Sequence, residues 1–153
     1  MSEAEVLTGA EPVYGDPEAI RQAASYVPSP TIIVYSDDKS VRHAVISALG
    51  TKLSGEVSAH KIVEFATAPA LRQYVDDKKK VDLFILDSEA VPEGGMGIAH
   101  QLRDEMADCP PIMVIIQRSP DKWLAKWSGA DAVVAHPIDP FTLGKSVLGL
   151  LQK

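Results

Sequence analysis

From Thr31 onward, apolar residues alternate between short consecutive runs and stretches where they recur every third or fourth position. The runs are Thr31-Ile32-Ile33-Val34-Tyr35, Ile62 to Ala66, Asp82 to Leu86, Ile112 to Ile116 and Ala132 to Ala135. Runs this short, rich in β-branched residues and without alternating polar positions, predict strands buried on both faces, as in a parallel sheet. Between them the helical spacing predicts a first helix with Val41, Ala44, Val45 and Leu49 inward, capped by Asp38 or Ser40 and ended by Gly50 at C′. A polar loop is expected from Thr51 to His60, then a helix from Pro69 to Asp77 with Leu71 and Val75 inward. A flexible turn, Gly94-Gly95-Met96-Gly97, precedes a helix with Ile98, Leu102 and Met106 on one face. Two more helices are expected at Asp121 to Ser128 and Phe141 to Leu151. Strands alternating with helices in this way predict an α/β, doubly wound, five-stranded parallel sheet with helices on both faces.

Residues 1 to 29 lack this periodicity and carry five acids (Glu3, Glu5, Glu11, Asp16, Glu18) against one base, Arg21. They read as an acidic tail preceding a domain at 30–153. Asp16-Pro17-Glu18 is a helix-start pattern that predicts a short helix from Pro17 to Ser25, and Tyr14 and Ile20 are the tail's candidate partner-binding residues. Pro28 and Pro30 set an extended entry into the domain.

Net charge narrows the partners. At −6, the chain repels a phosphate backbone, and its one basic run, Lys78-Lys79-Lys80, reads as the solvated end of a helix. No nucleic acid is expected. With a single cysteine, Cys109, neither an intrachain disulfide nor a thiolate cluster can form, and a small buried apolar role is expected for it. No apolar stretch reaches the ~18 to 20 residues of a membrane span, and the acidic N-terminus lacks a signal pattern. A cytoplasmic protein without direct membrane insertion is expected.

The chemistry concentrates at strand ends. Acids follow the first strand (Ser36-Asp37-Asp38) and close the third (Asp87), where an open parallel sheet places its crevice. Gly129-Ala130-Asp131 precedes the fifth strand and His136-Pro137 follows it. Together with the glycine run, these motifs in this order make residues 31 to 152 resemble a response-regulator receiver domain, a CheY-like, flavodoxin-like fold of strand order 2-1-3-4-5. The resemblance implies a non-enzymatic signalling module phosphorylated on Asp87.

The same resemblance implies a site of five parts: two acids and the acceptor holding magnesium, a hydroxyl and a lysine on the phosphoryl oxygens, and an aromatic that follows the hydroxyl inward. Position by position, Asp37 and Asp87 are the metal-binding acids, and Asp38 could substitute only if its loop shifts. Ser36 stands in place of the other acid, Ile116 of the hydroxyl, His136 of the lysine and Val133 of the aromatic. Magnesium is the one cofactor implied, and Ser36 weakens the case for it. A degenerate switch is therefore expected, with Gln117, Arg118 or Ser119 as the nearest replacements for the missing hydroxyl.

Plainer readings exist for each position. Asp87 also suits a solvated acid or a partner of His136; Asp37 and Asp38 suit a helix cap; His136 suits a turn before proline. His43, His60, His100 and His136 lack metal-ligand spacing. Trp123 and Trp127, four apart, fit either core packing or an interface anchor, and are candidate partner-binding residues.

Three functions follow. The first is a protein-interaction module or accessory subunit, its output a contact because the chain ends with the last helix. A finer likeness, to actinobacterial orphan receivers, rests on Asp87-Ser88-Glu89-Ala90, Gly94-Gly95-Met96-Gly97, Cys109-Pro110-Pro111 and His136-Pro137-Ile138-Asp139-Pro140. It implies a protein partner, the soluble arm of a respiratory NADH dehydrogenase or a signalling protein, and peripheral residence at the inner face of the membrane. The second is a working phospho-aspartate switch. The third, a flavodoxin-like electron carrier, ranks low because Ser36-Asp37-Asp38-Lys39-Ser40 is too acidic for a flavin phosphate.

Overall fold

A computed structural model describes residues 29–52 and 60–152. The expected helix at Pro17 to Ser25 and the candidates Tyr14 and Ile20 lie outside the described residues, as does most of the loop expected between Thr51 and His60. The elements are β1 (Thr31–Tyr35), α1 (Lys39–Lys52), β2 (Lys61–Phe65), α2 (Ala68–Asp76), β3 (Leu83–Asp87), α3 (Gly95–Glu105), β4 (Ile112–Ile116), a 3₁₀ turn (Ser119–Asp121), α4 (Lys122–Trp127), β5 (Ala132–Ala135) and α5 (Pro140–Leu151).

All strand pairs are parallel, in the order β2-β1-β3-β4-β5. Every residue of β1, β3 and β4 is buried, which is why these strands read as unbroken apolar runs. Their side chains alternate between two cores. On one face Ile32, Val34, Ile85, Met113 and Ile115 meet Val45 and Leu49 of α1 and Leu143, Val147 and Leu151 of α5. On the other, Ile33, Phe84, Leu86, Val114 and Ile116 meet Leu71 of α2, Ile98 and Leu102 of α3 and Ala125 of α4. Each fully buried Leu, Ile or Phe contributes about 1.5–3 kcal/mol before conformational entropy is subtracted.

Caps fix the helix starts. Thr67 accepts from Ala70 N and Asp139 from Thr142 N, each followed by a proline in the first turn. Asp38 caps α1, its Oδ1 accepting from Ser40 N at 2.8 Å.

Several expectations are corrected. Gly50 lies inside α1, exposed, rather than ending it. Ala44 is exposed, and Ala48 takes the inward place on the same helix. The glycine run is no flexible turn, because Gly94 is the N-cap of α3 and Gly95 its first residue. A Cβ on Gly95 would lie 2.8 Å from Leu86 Cβ and 2.9 Å from the Asp87 carbonyl, so only glycine lets α3 pack this tightly onto the end of β3. Cys109 is half-buried beside the second core, where burial raises its thiol pKa.

Gly129, at φ +101°, turns the chain from α4 into β5, with Arg103 packed where a Cβ would stand. Arg103 Nε donates to Gly129 O at 2.9 Å and pairs with Asp131, whose Oδ2 accepts from Ile112 N at 2.8 Å. The Gly-Ala-Asp motif thus joins α3, β4 and β5.

Because β1 and β3 are neighbours while the chain winds outward from them in opposite directions, the carboxyl ends of these two strands border the crevice.

Candidate functional site

Ser36, the first residue past β1, is fully buried and every polar group it has is engaged. Its N–H donates to Phe65 O at 3.2 Å, and its carbonyl accepts from Arg42 Nη1 at 2.7 Å. Arg42 is held in turn by Glu64 at 3.0 Å. The Ser36 hydroxyl accepts from Asp38 N at 3.0 Å and donates to Asp87 Oδ2 at 2.7 Å.

Asp87 is 3% exposed. Its other oxygen, Oδ1, accepts from Glu89 N at 2.9 Å, so both carboxylate oxygens are committed to neighbours in the loops. It is neither a solvated surface acid nor bonded to His136 among the described residues. Asp37 joins two loops instead, its Oδ1 accepting from Val91 N at 3.1 Å and so tying the β1–α1 loop to the β3–α3 loop. Asp38 spends Oδ1 on the backbone and hydroxyl of Ser40, bonds that hold its carboxyl pKa below the usual value. Asp38 thus caps α1 while lining the cleft beside Asp37.

A cleft of about 700 Å³ opens here, lined by Asp37, Asp38, Asp87, Glu89, Gln117 and His136 among others. It gathers four carboxylates and one imidazole, with no lysine or arginine in its lining. A magnesium ion would need hard oxygen donors converging on one point. Among the described residues no three acidic, histidine or cysteine side chains converge so. The donor set does not fit the ion.

The remaining positions fall as follows. Ile116 is buried in the core, and its carbonyl accepts from His136 N at 3.0 Å. Gln117 lines the cleft, whereas Arg118 turns toward Asp121 at 3.5 Å and lines a neighbouring cleft with Ser88, Met96 and Leu124. Val133 is half-buried against the second core. His136–Pro137 and Val91–Pro92 are both cis.

One network was not anticipated. The buried Tyr35 hydroxyl donates to Glu93 O at 2.6 Å, and Arg72 of α2 grips the Glu93 carboxylate with two nitrogens and Gln101 of α3 with its Nε at 2.9 Å. Burial, and then Glu93, raise the Tyr35 pKa, while the bond from Arg72 lowers that of Glu93. This network ties the β3–α3 loop at Glu93 to β1 and α2, as Asp37 ties it at Val91 to the β1–α1 loop. A tyrosine ending a buried strand is the signal for it, since its hydroxyl needs a partner.

Trp123 and Trp127 are 67% and 70% exposed, which removes the core-packing reading of both. Trp127 stacks on His100 of α3, with ring centroids 5.2 Å apart.

No family model matches the chain. Two curated relatives, each called an uncharacterized response regulatory protein, come from Mycobacterium tuberculosis strains CDC 1551 and H37Rv. Each is 50% identical over 121 residues, covering 79% of this chain and 90% of the relative. Among solved structures, the response regulator protein TrrA of Thermotoga maritima in complex with Mg²⁺-BeF is similar at 24% identity and a TM-score of 0.66, covering 80% of this chain and 99% of that one. A CheY-like receiver domain protein of Methanospirillum hungatei is similar at 15% identity and a TM-score of 0.65, covering 80% of this chain and 93% of that one.

Proposed function

We propose that this chain, which belongs to the response-regulator receiver family, is a receiver with a degenerate acceptor site that acts by binding another protein. The observation that carries this reading is the 2.7 Å bond from Ser36 Oγ to Asp87 Oδ2. Where the receiver resemblance calls for a second acid, a neutral hydroxyl donates into the acceptor itself.

The physical consequences run in one direction. A phosphoryl group on Asp87 would replace the single negative charge of its carboxylate by about 1.5 to 2, in a cleft that already holds Asp37, Asp38 and Glu89. No lysine or arginine lines the cleft to offset that repulsion. Ile116 offers no hydroxyl, so a charge-assisted bond of about 1.5–3 kcal/mol is also missing, roughly a tenfold to hundredfold loss of affinity for the phosphoryl oxygens. Val133, too small to act as an aromatic relay, would leave such a group without a route to the surface. Incubation of the full chain with acetyl phosphate and magnesium, followed by intact mass, tests this. An unmodified mass is expected, and a phosphoryl adduct that disappears in Asp87→Asn would sink the reading.

By resemblance, the soluble arm of a respiratory NADH dehydrogenase is the first partner to test, and residence is cytoplasmic, peripheral to the membrane through that partner. No described helix is long and apolar enough to cross a membrane. Co-purification with and without residues 1 to 29 reports on the tail as an anchor, and unchanged recovery would remove that role.

A working phospho-aspartate switch is the second reading, favoured by one observation: Asp87 and Asp37 both line an open cleft. The flavodoxin-like reading stays last, since the loop that would face a flavin phosphate presents Asp37 and Asp38 to the cleft.

A further inference from the structure

A second cleft, of about 480 Å³, lies between the loops that follow β3 and β4. Ser88 and Glu89 line it from the first loop, Gln117 and Arg118 from the second, and Met96 of α3 and Leu124 of α4 add apolar surface. Its size falls within the ~300–1,000 Å³ of small-molecule sites. One atom beside it is left over by the fold: the Ser88 hydroxyl is the one buried side-chain nitrogen or oxygen that finds no hydrogen-bond partner among the described residues. The Ser88 backbone is satisfied, its N–H donating to Ile115 O at 2.9 Å. A buried hydroxyl without a partner costs free energy, and one on the wall of a cleft calls for a partner from outside the chain.

The rest of the lining names the chemistry of that partner. Glu89 has no cation paired with it among the described residues. Across the cleft, the Arg118 side chain is 73% exposed and reaches Asp121 at 3.5 Å, a loose contact that leaves most of its donors unused. A free carboxylate, a half-committed guanidinium and an apolar wall complement a single molecule that carries an ammonium, a carboxylate and an apolar group. A simple anion fits less well, because Glu89 and Asp121 together outnumber Arg118 in the lining. A wholly apolar molecule would leave Ser88 unpaired.

We infer that this cleft binds a small free α-amino acid with an apolar side chain. Its ammonium pairs with Glu89, its carboxylate with Arg118, and its side chain packs on Met96 and Leu124, while the Ser88 hydroxyl bonds its polar end. Glu89 and Gln117 also line the cleft at Asp87, so an occupant here alters the border of that site without chemistry on it.

The test titrates the full-length chain with L-leucine and follows its amide resonances by NMR. Isocaproate, which lacks the ammonium, and isoamylamine, which lacks the carboxylate, are the controls. The expected result is saturable shifts at Ser88, Gln117 and Leu124 with leucine, half complete at about millimolar or below, and weaker binding of both controls. Arg118→Gln should weaken leucine about tenfold or more and leave isoamylamine unchanged. Ser88→Ala should weaken leucine about tenfold, yet leave the thermal midpoint of the ligand-free chain unchanged or raised, because the hydroxyl bonds nothing within the fold.

No saturable shift with leucine at about tenfold above millimolar overturns the inference. So do shifts centred on Asp37 and His136, which assign the molecule to the cleft at Asp87. A Ser88→Ala chain that loses stability and keeps its affinity for leucine also overturns it, by giving the hydroxyl a bound water only. None of these outcomes bears on phosphorylation of Asp87 or on a protein partner, so this inference and the proposed function fail separately.

Discussion

The Ser36 hydroxyl donates to Asp87 Oδ2 at 2.7 Å, joining the carboxyl ends of the neighbouring strands β1 and β3 through two buried side chains. This bond uses the serine as a structural partner of the carboxylate. Ser36→Ala leaves a buried carboxylate oxygen without that donor and should destabilise the fold by about 1.5–3 kcal/mol. Urea unfolding measures it, and an unchanged midpoint would show that the bond contributes nothing.

Ser36→Asp tests the same pair in the opposite sense. Two adjacent buried carboxylates repel, so this variant should be less stable than the parent in the absence of divalent ions. Magnesium should restore stability to the variant by binding its folded state, and leave the parent unchanged. Thermal unfolding with and without magnesium separates the two, and equal stabilisation of both proteins would contradict the account.

The two glycine sites should respond with opposite signs. Gly95→Ala pushes a methyl group into the backbone of Asp87, at a cost of about 1–3 kcal/mol. Gly50→Ala adds a methyl where nothing lies within 4 Å, and should stabilise α1 by about 0.5–1 kcal/mol. Denaturant midpoints of both variants check the contrast.

Acid should loosen the β3–α3 loop through Glu93. The bond from Arg72 depresses its pKa in the folded state below the ordinary 4.5. The stabilisation is therefore complete above pH 4.5 and is lost as pH falls through the depressed value. Arg72→Gln should remove that part of the acid dependence, seen by comparing unfolding midpoints between pH 3 and 6, about the range that brackets carboxylate titration. At the alkaline end the raised pKa of Tyr35 gives stability present below 10.0 and lost as pH rises through the raised value. Tyr35→Phe should flatten that limb.

Much of the architecture was legible because fully buried parallel strands leave an unmistakable mark. β1, β4 and β5 begin and end where their apolar runs do. Glycines were harder, since one residue type serves three purposes. Gly50 resembles a helix terminator but is an exposed interior residue, and the run at Gly94 to Gly97 resembles a turn but provides close helix packing. On α4, six residues are too few for periodicity to separate an inward from an outward indole. At the site, the receiver resemblance located Asp37, Asp87 and His136, which do share one cleft. It carried no information on which hydrogen bonds would form. The bond between Ser36 and Asp87 and the network of Tyr35, Arg72, Glu93 and Gln101 join residues distant in sequence, so local pattern signals at most that Tyr35 needs a partner and never which one.

The degenerate state of the acceptor is the central claim, and amide NMR of the full-length chain with magnesium and beryllofluoride tests it most directly. The account predicts that resonances around Asp37, Asp87 and Val133 stay in place at about millimolar magnesium. Saturable shifts at Asp37 and Asp87 that spread through Val133 toward α4 would contradict it and establish a working switch.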